Sequence, residues 1–303
     1  MRKYWTMCLL TIACTALTGC NQMGVKQDPH SAFEQVRDQF AAQNSYAFYG
    51  RTKLLTANSA NANMVNFSGR KDGEAVYMNV KFSVPEQQRV ETLSLLSEGS
   101  ELYAKQGQEE KWKPVPGEGV ALRQEMNNWS PPFCFQQMDE LKKSVRQLPD
   151  ENPQDDLEAI GVTLDSLKLK EWLAAQMQEQ AGAGSRIQSA AGPFASHKPR
   201  VKLAMQLSDG NWARAAAPGA GVSIQAKQAQ AQDVKAMVDQ MDVEAEYTIY
   251  YNKKTMLPTN MTMSIRSAYD LNDQRVKEHS QVETYLQNYG RAKPVPTAAE
   301  GGK

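Results

Sequence analysis

The chain of 303 residues carries 34 acidic and 34 basic residues, so its formal net charge is zero. A chain without a basic excess cannot neutralise many phosphates, which argues against nucleic acid as a partner. The length is enough for one large domain or two small ones.

The first twenty residues have the order of a secretory signal. Arg2 and Lys3 precede an apolar stretch over residues 4–16, which is shorter than the about 20 residues that a membrane span needs. The stretch ends in Leu17-Thr18-Gly19-Cys20, which resembles the lipobox of bacterial lipoproteins. An uncleaved membrane anchor with a chance Leu-x-Gly-Cys sequence is the alternative interpretation.

The lipobox resemblance implies that Cys20 is modified with diacylglycerol, carries palmitate-type acyl chains, and becomes the first residue after removal of the signal peptide 1–19. We therefore expect a lipidated tether over residues 20–30. The protein is then expected on the extracytoplasmic face of the cell membrane, with the membrane itself as one partner through the lipid anchor.

The four cysteines do not predict a disulfide. Cys8 and Cys14 lie in the signal and Cys20 is the lipidation site, which leaves only Cys134 in the domain. Cys134 lies on an apolar stripe, and we interpret it as a buried, unreactive thiol rather than as a nucleophile.

The N-terminal part predicts one helix followed by a meander of strands. Ser31 and Glu34 form a capping box at the start of a helix over about 32–42. Apolar residues then alternate with polar ones, a period typical of antiparallel strands with one covered face. Strands are expected over 45–54, 65–71, 76–82, 91–97 and 101–106, with residues 111–113 pairing with the last of them.

The middle of the chain predicts helices and loops. Pro131 and Pro132 begin a helix that runs to residue 148, because its apolar residues recur at steps of three and four. Asp165 is expected to cap a further helix, with Leu164 and Leu169 as a hydrophobic staple. The other expectations are an acidic loop at 150–158, loops at 181–200 and 208–222, a strand at 201–207 and a helix at 234–241.

The C-terminal part predicts three long strands, over 243–251, 257–265 and 276–286, because apolar residues alternate throughout. Residues 291–303 are polar, contain Pro and Gly, and are predicted to form a disordered tail.

No motif for catalysis, metal binding or cofactor binding stands out. The histidines, His30, His197 and His279, have no acidic residue or cysteine at metal-ligand spacing. Neither a nucleophile elbow nor a glycine-rich phosphate loop occurs. We therefore expect no enzyme, no cofactor and no metal.

The order of elements resembles the half-barrel superfamily of LolA, LolB, LppX and LprG, especially lipoproteins of spore-forming Gram-positive bacteria. The stretches that carry the resemblance are Tyr46–Leu54, Leu102–Lys105 with Trp112, and Tyr250–Pro258. The resemblance implies an α+β domain over 31–290, in which a curved antiparallel β-sheet (half-barrel) is wrapped over helices. It also implies, as in some relatives, an apolar cavity for acyl chains, and no catalytic residue.

A concave sheet face that helices fill incompletely leaves an elongated apolar pocket. The first hypothesis is therefore a lipid-binding, non-enzymatic lipoprotein of the cell envelope; the second is a structural or regulatory module that docks on an envelope membrane protein, of germination or stress-signalling type. A closed core is the simpler interpretation of the same apolar faces. If a pocket exists, its lid is expected to be the helix 134–148, and its walls Val76, Met78, Val80, Phe82, Tyr247, Ile249, Met261, Met263 and Ile265.

Overall fold

The computed structural model describes residues 28–55, 65–84, 89–107, 109, 111–115, 126–127, 129–149, 156–187, 238–271 and 274–298. Several predicted features lie outside these residues: the signal peptide, Cys20, the strand at 201–207, the loop at 208–222 and most of the helix at 234–241. His197 also lies outside them.

The described residues form three helices and eleven strands. The helices are α1 (Pro29–Ala41), α2 (Pro131–Leu141) and α3 (Ser166–Ile187). The strands of the first half are β1 (Ser45–Leu54), β2 (Val65–Asp72), β3 (Ala75–Val84), β4 (Arg89–Glu98), β5 (Glu101–Gln106) and β6 (Lys113–Pro114). Those of the second half are β7 (Lys142–Gln147), β8 (Leu157–Leu164), β9 (Asp242–Asn252), β10 (Pro258–Leu271) and β11 (Gln274–Gln287).

All eleven strands belong to one antiparallel sheet with the order β6-β5-β4-β3-β2-β1-β11-β10-β9-β8-β7. Strands β1 to β6 form one meander, as the alternating sequence predicted. Strands β7 to β11 form another, of which the sequence predicted only β9 to β11. The pairing of β1 with β11 joins the two meanders, with Phe48 opposite Leu286. Strands β6 and β7 are the two edges, so the sheet is open.

The hydrophobic core lies on one face of this sheet. A single row of paired residues crosses the centre: Val65, Thr52, Val282, Met263, Tyr247 and Val162. Since neighbours in a row point to the same face, the row shows which side chains share a surface. One buried cluster gathers side chains from this face of ten strands, and the sheet must curve to bring them together.

Helices α1 and α2 pack on this face. The ring of Phe40 in α1 lies 5.0 Å from that of Tyr46 in β1, and the ring of Phe135 in α2 lies 5.0 Å from that of Phe40. Trp129, just before α2, stacks on Phe67 of β2 at 5.9 Å. These aromatic contacts connect the helices to the first meander.

The predicted helix over 131–148 is wrong in its second half. Helix α2 ends at Leu141, and Lys142 has an extended ψ of 133°, so the chain continues directly as β7. The acidic loop expected over 150–158 is also too long, because β8 begins at Leu157. Val145 of β7 and Val162 of β8 pair with each other and are both buried.

The helix starts are partly as predicted. Asp165 caps α3, since its carboxylate accepts hydrogen bonds from the backbone N–H groups of Leu167 and Lys168 at 2.9 and 3.1 Å. The N-cap of α1 is Asp28 rather than Ser31: the Asp28 carboxylate accepts from the Ser31 backbone N–H at 3.1 Å. Pro29 follows in the first turn, where a missing N–H costs nothing. Helix α1 thus begins inside the expected tether of 20–30.

Two segments predicted to be irregular have a defined path where the structure describes them. Helix α3 continues to Ile187, into the loop expected over 181–200. The segment 291–298 lies within the expected disordered tail, and its backbone N–H at Ala298 donates to the Glu98 carboxylate at 3.3 Å.

Candidate functional site

The residues predicted as pocket walls share one face of the sheet. Pairing places Val80 in line with Phe67 and Gly50, and Met263 in line with Tyr247, on the side that the helices cover. The side chain of Phe82 lies outside the described residues. The buried walls are Met78, Val80, Tyr247, Ile249, Met261 and Ile265, while Val76 and Met263 are partly buried at the margin of the cluster.

The predicted lid helix 134–148 is helical only as far as Leu141, because Lys142–Gln147 form β7; its helical part, in α2, packs on the second meander. The Tyr247 hydroxyl donates a hydrogen bond to the Gln137 side-chain oxygen at 2.5 Å. Met138 and Ile249 are both completely buried. This part of the wall therefore forms a packed interior with the helix in place.

A cavity of about 300 Å³ lies where α1, α2 and the ends of β1 and β2 meet. This volume is at the lower end of the range for ligand pockets, which is about 300–1,000 Å³. Three of its lining rings, Phe40, Tyr46 and Phe135, belong to the hydrophobic core cluster. The remaining lining residues are Arg37, Ala41, Lys71, Pro132, Gln136 and Asp139.

Charged groups form the polar side of this cavity. The Arg37 guanidinium donates to the Asp139 carboxylate at 2.9 Å, and Asp139 also pairs with the ammonium group of Lys142. The Lys71 ammonium donates to the backbone oxygen of Gln43 at 3.3 Å. Its nitrogen lies 5.9 Å from the centre of the Tyr46 ring.

These contacts shift the pKa values of the lining groups. Hydrogen bonding to Lys142, and more weakly to Arg37, lowers the pKa of Asp139, so its carboxylate stays charged over a wide pH range. Burial raises the pKa of Tyr46 and keeps its hydroxyl neutral. The cavity is thus lined both by aromatic rings and by charged groups.

Sequence reasoning named none of the cavity residues as a site. The available signal was Lys71, which alternation places on the same face of β2 as the inward residue Phe67. Lys71 pairs with Tyr46 and Val76. A lysine on the covered face of a strand indicates a polar opening in the core. The acidic partner Asp139 lies on α2, far away in sequence, and its position could not be foreseen.

Cys134 is buried in α2 against Tyr247. Loss of hydration raises the pKa of its thiol to about 12. This agrees with the interpretation of an unreactive thiol, because the thiolate is the nucleophilic form.

We expect Cys134 to react with iodoacetamide at pH 8 at least about tenfold more slowly in the folded protein than in urea, where its pKa returns to about 8.5. Raising the pH from about 9 towards 12 should also destabilise the fold. In this range the Cys134 thiol ionises in the unfolded chain but stays neutral in the folded one. Mass spectrometry of the alkylated chain 21–303, in which Cys134 is the single cysteine, measures the rate, with Cys134→Ser as the unlabelled control. Equal rates in both states would contradict the burial.

No described helix is long and apolar enough to cross a membrane. Within the same residues, no three His, Cys, Asp or Glu side chains come together as they would around a metal ion.

Fold and site together define an open antiparallel sheet with helices on one face and a small amphipathic cavity at their margin. Residues 218–299 match a family described as a family of unknown function, DUF6612. No curated protein matches the chain in sequence.

Among solved structures, the lipoprotein LppX of Mycobacterium tuberculosis is similar, with a TM-score of 0.39 at 8% identity over 89% of this chain and 100% of LppX. LprF of Mycobacterium bovis has a TM-score of 0.39 at 10% identity, covering 90% of this chain and 98% of LprF. A LolA superfamily protein of Nitrosomonas europaea has a TM-score of 0.25 at 8% identity, over 89% and 96% of the two chains. At these TM-scores the likeness does not by itself indicate a shared ligand or activity.

Proposed function

We propose that this protein is a lipoprotein held on the outer face of the cell membrane through Cys20. Its domain is then a half-barrel of the LolA type that binds a lipid or another apolar ligand without catalysing a reaction. The lipobox-like Leu17-Thr18-Gly19-Cys20 supports the anchor, and the extensive inward apolar face supports the ligand class.

The observation that carries this proposal is the contact between the cavity and the core. Phe40, Tyr46 and Phe135 line the cavity and belong to the core cluster, so a hydrocarbon chain entering there meets apolar surface. Arg37 and Lys71 also line the cavity and can hold a polar end group. An amphiphile, with one charged end and one apolar end, fits this arrangement.

The predicted wall residues extend the same face beyond the cavity. Three of them, Met78, Met261 and Met263, are methionines, whose unbranched side chains adapt to different shapes. A longer ligand would have to displace α2 from this wall. We therefore propose the cavity as the first contact and the methionine-containing face as the surface that a longer chain could reach.

The docking hypothesis has one observation in its favour. Met78, Leu95 and Ile160 are fully buried, so the apolar face is well packed where the structure describes it. A well-packed half-barrel can serve as a rigid module on an envelope membrane protein. Absence of any bound lipid would favour this second function.

The anchor predicts a simple labelling result. In bacteria fed labelled palmitate, the intact chain should become labelled and the Cys20→Ser variant should lose the label, because a serine hydroxyl does not replace the thiolate nucleophile. Gel fluorography of both chains measures this, and Cys134→Ser is the matched control that should keep its label. Label that survives Cys20→Ser would refute the anchor.

The cavity predicts a binding defect without a folding defect. Ala41 lines the cavity and is exposed, so Ala41→Trp should fill the space and weaken binding of NBD-stearate by about tenfold or more. Gln39→Trp, at an exposed site on the same helix that does not line the cavity, is the control and should bind normally.

Fluorescence titration of the mature chain without its lipid, residues 21–303, measures both variants. Native mass spectrometry of the same sample shows whether a lipid copurifies. Binding by the wild type that Ala41→Trp leaves unchanged would place the ligand elsewhere. A wild-type protein that neither copurifies with a lipid nor binds the probe would favour the docking function.

A further inference from the structure

Among the described residues, three large apolar side chains other than Tyr49, which stacks on Tyr285, are strongly exposed: Leu55 at 47%, Val90 at 65% and Leu167 at 73% of their surface. The first follows β1, the second lies near the start of β4, and the third lies in the first turn of α3. Isolated exposed apolar residues are common, and their position relative to one another decides whether they matter.

Strand register places all three at the same end of the sheet. The row of paired residues that contains Thr52 of β1 crosses the sheet to Glu91 of β4 in one direction and to Val162 of β8 in the other. Along the strands, Leu55 lies three residues beyond this row, Val90 one residue beyond it, and Leu167 five residues beyond it, just after β8. We call Leu55, Val90 and Leu167 the apolar rim.

The start of the domain lies at this same end. In α1, Phe33 packs beneath the ammonium group of Lys142 at 5.4 Å, and Lys142 pairs with Leu164 at the rim end of β8. Seven residues later, Phe40 packs against Tyr46 and Tyr289 at the opposite end. Helix α1 therefore runs away from the rim, and its N-cap Asp28 lies on the rim side.

The distance from Asp28 to the lipid anchor is limited. Asp28 is eight residues after Cys20 in sequence, and a fully extended chain of that length spans at most about 28 Å. If Cys20 is lipidated, the rim end is held within reach of the bilayer surface. Such tethering raises the local concentration of membrane, so that weak apolar contacts become effective.

We propose that the apolar rim inserts into the interfacial layer of the membrane that holds the anchor, a proposal that rests on the lipoprotein function above. Apolar side chains gain free energy when they leave water for the boundary of the acyl chains, at a depth of about 5–10 Å. The membrane surface thereby orients the domain. The cavity-lining residues Tyr46 and Lys71 lie at the other end of β1 and β2, so this part of the cavity is held away from the membrane.

The test uses the intact, acylated chain in phosphatidylcholine vesicles with an NBD label at one introduced cysteine. The rim variants are Leu55→Cys, Val90→Cys and Leu167→Cys, and the control is Glu101→Cys, which is exposed at the opposite end of the sheet beside Glu98. The natural Cys134 is buried and does not compete for the label.

We expect iodide in the water to quench the rim labels about fivefold less than the Glu101→Cys label, because insertion removes them from water. Doxyl-labelled lipid should quench the rim labels and spare the control. Rim labels that iodide quenches as strongly as the control, on a chain that floats with the vesicles, would overturn the rim proposal and leave the anchor intact. A chain that takes up no palmitate and does not float with the vesicles would overturn both the rim proposal and the lipid anchor.

Discussion

Replacing Gly50 with alanine is expected to lower the free energy of unfolding by about 3 kcal/mol or more, at the severe end of overpacking effects. A Cβ at Gly50 would lie 2.1 Å from the backbone oxygen of Glu283 and 2.4 Å from the ring of Phe67. The oxygen belongs to β11 and cannot move aside without breaking the pairing of β1 with β11. Chemical denaturation of the purified domain measures the loss.

The matched control is Gly107→Ala, the same chemical change in open space. A Cβ there meets no atom within 4 Å, and its only cost comes from a φ of +59°. That cost is about 1–2 kcal/mol. Equal losses at the two positions would contradict the close approach at Gly50.

The effect at Gly50 should be large because β1 is the connecting strand. Every other pairing in the sheet joins strands that follow each other in sequence, whereas β1 and β11 meet across the length of the domain. Phe67 covers Gly50, and Phe48 covers Gly69 in the same way. A Cβ at Gly69 would lie 2.3 Å from the Cζ atom of Phe48. Two aromatic rings thus lie on two glycines, an arrangement that draws the strands together and fills the space that the missing side chains leave.

Strands β1 to β5 and β9 to β11 could be predicted because they alternate cleanly. Val243, Ala245 and Tyr247 are buried and their sequence neighbours are not, which is the pattern of a sheet with one covered face. The pairing of β1 with β11 has no local signal. Only the folded chain shows that the two meanders join there.

Strands β7 and β8 were missed for a physical reason. Leu141, Val145 and Leu148 are spaced by four and three, which fits a helix, while Val145 alone among polar neighbours fits an edge strand equally well. Strand β8 is buried on both faces around Ile160, so it does not alternate. Neither strand could be assigned without knowing its neighbours.

The candidate site, too, could be predicted from the sequence only in part. The apolar face of the sheet followed from sequence parity, since wall residues such as Met78 and Ile249 do lie on it. The cavity depends on how α1 and α2 meet, with Arg37 and Asp139 paired across 102 positions. Local patterns do not encode such a contact.

Replacing Met78 with alanine is expected to cost about 2–5 kcal/mol of stability, because the side chain is fully buried in a packed core and its removal leaves a cavity. Met263→Ala should cost less, since Met263 is only partly buried at the margin of the cluster. Thermal unfolding of the mature chain measures both losses.

The same variants separate a core from a ligand surface. If the ligand stays in the cavity beside Ala41 and Tyr46, Met78→Ala should lose stability while NBD-stearate binds within about twofold of the wild type, since Met78 does not line that cavity. Ala41→Trp should show the reverse, normal stability with weak binding. A Met78→Ala variant that stays stable but loses the probe would contradict this division, and would make the predicted wall of Val76, Met78 and Val80 the ligand surface itself.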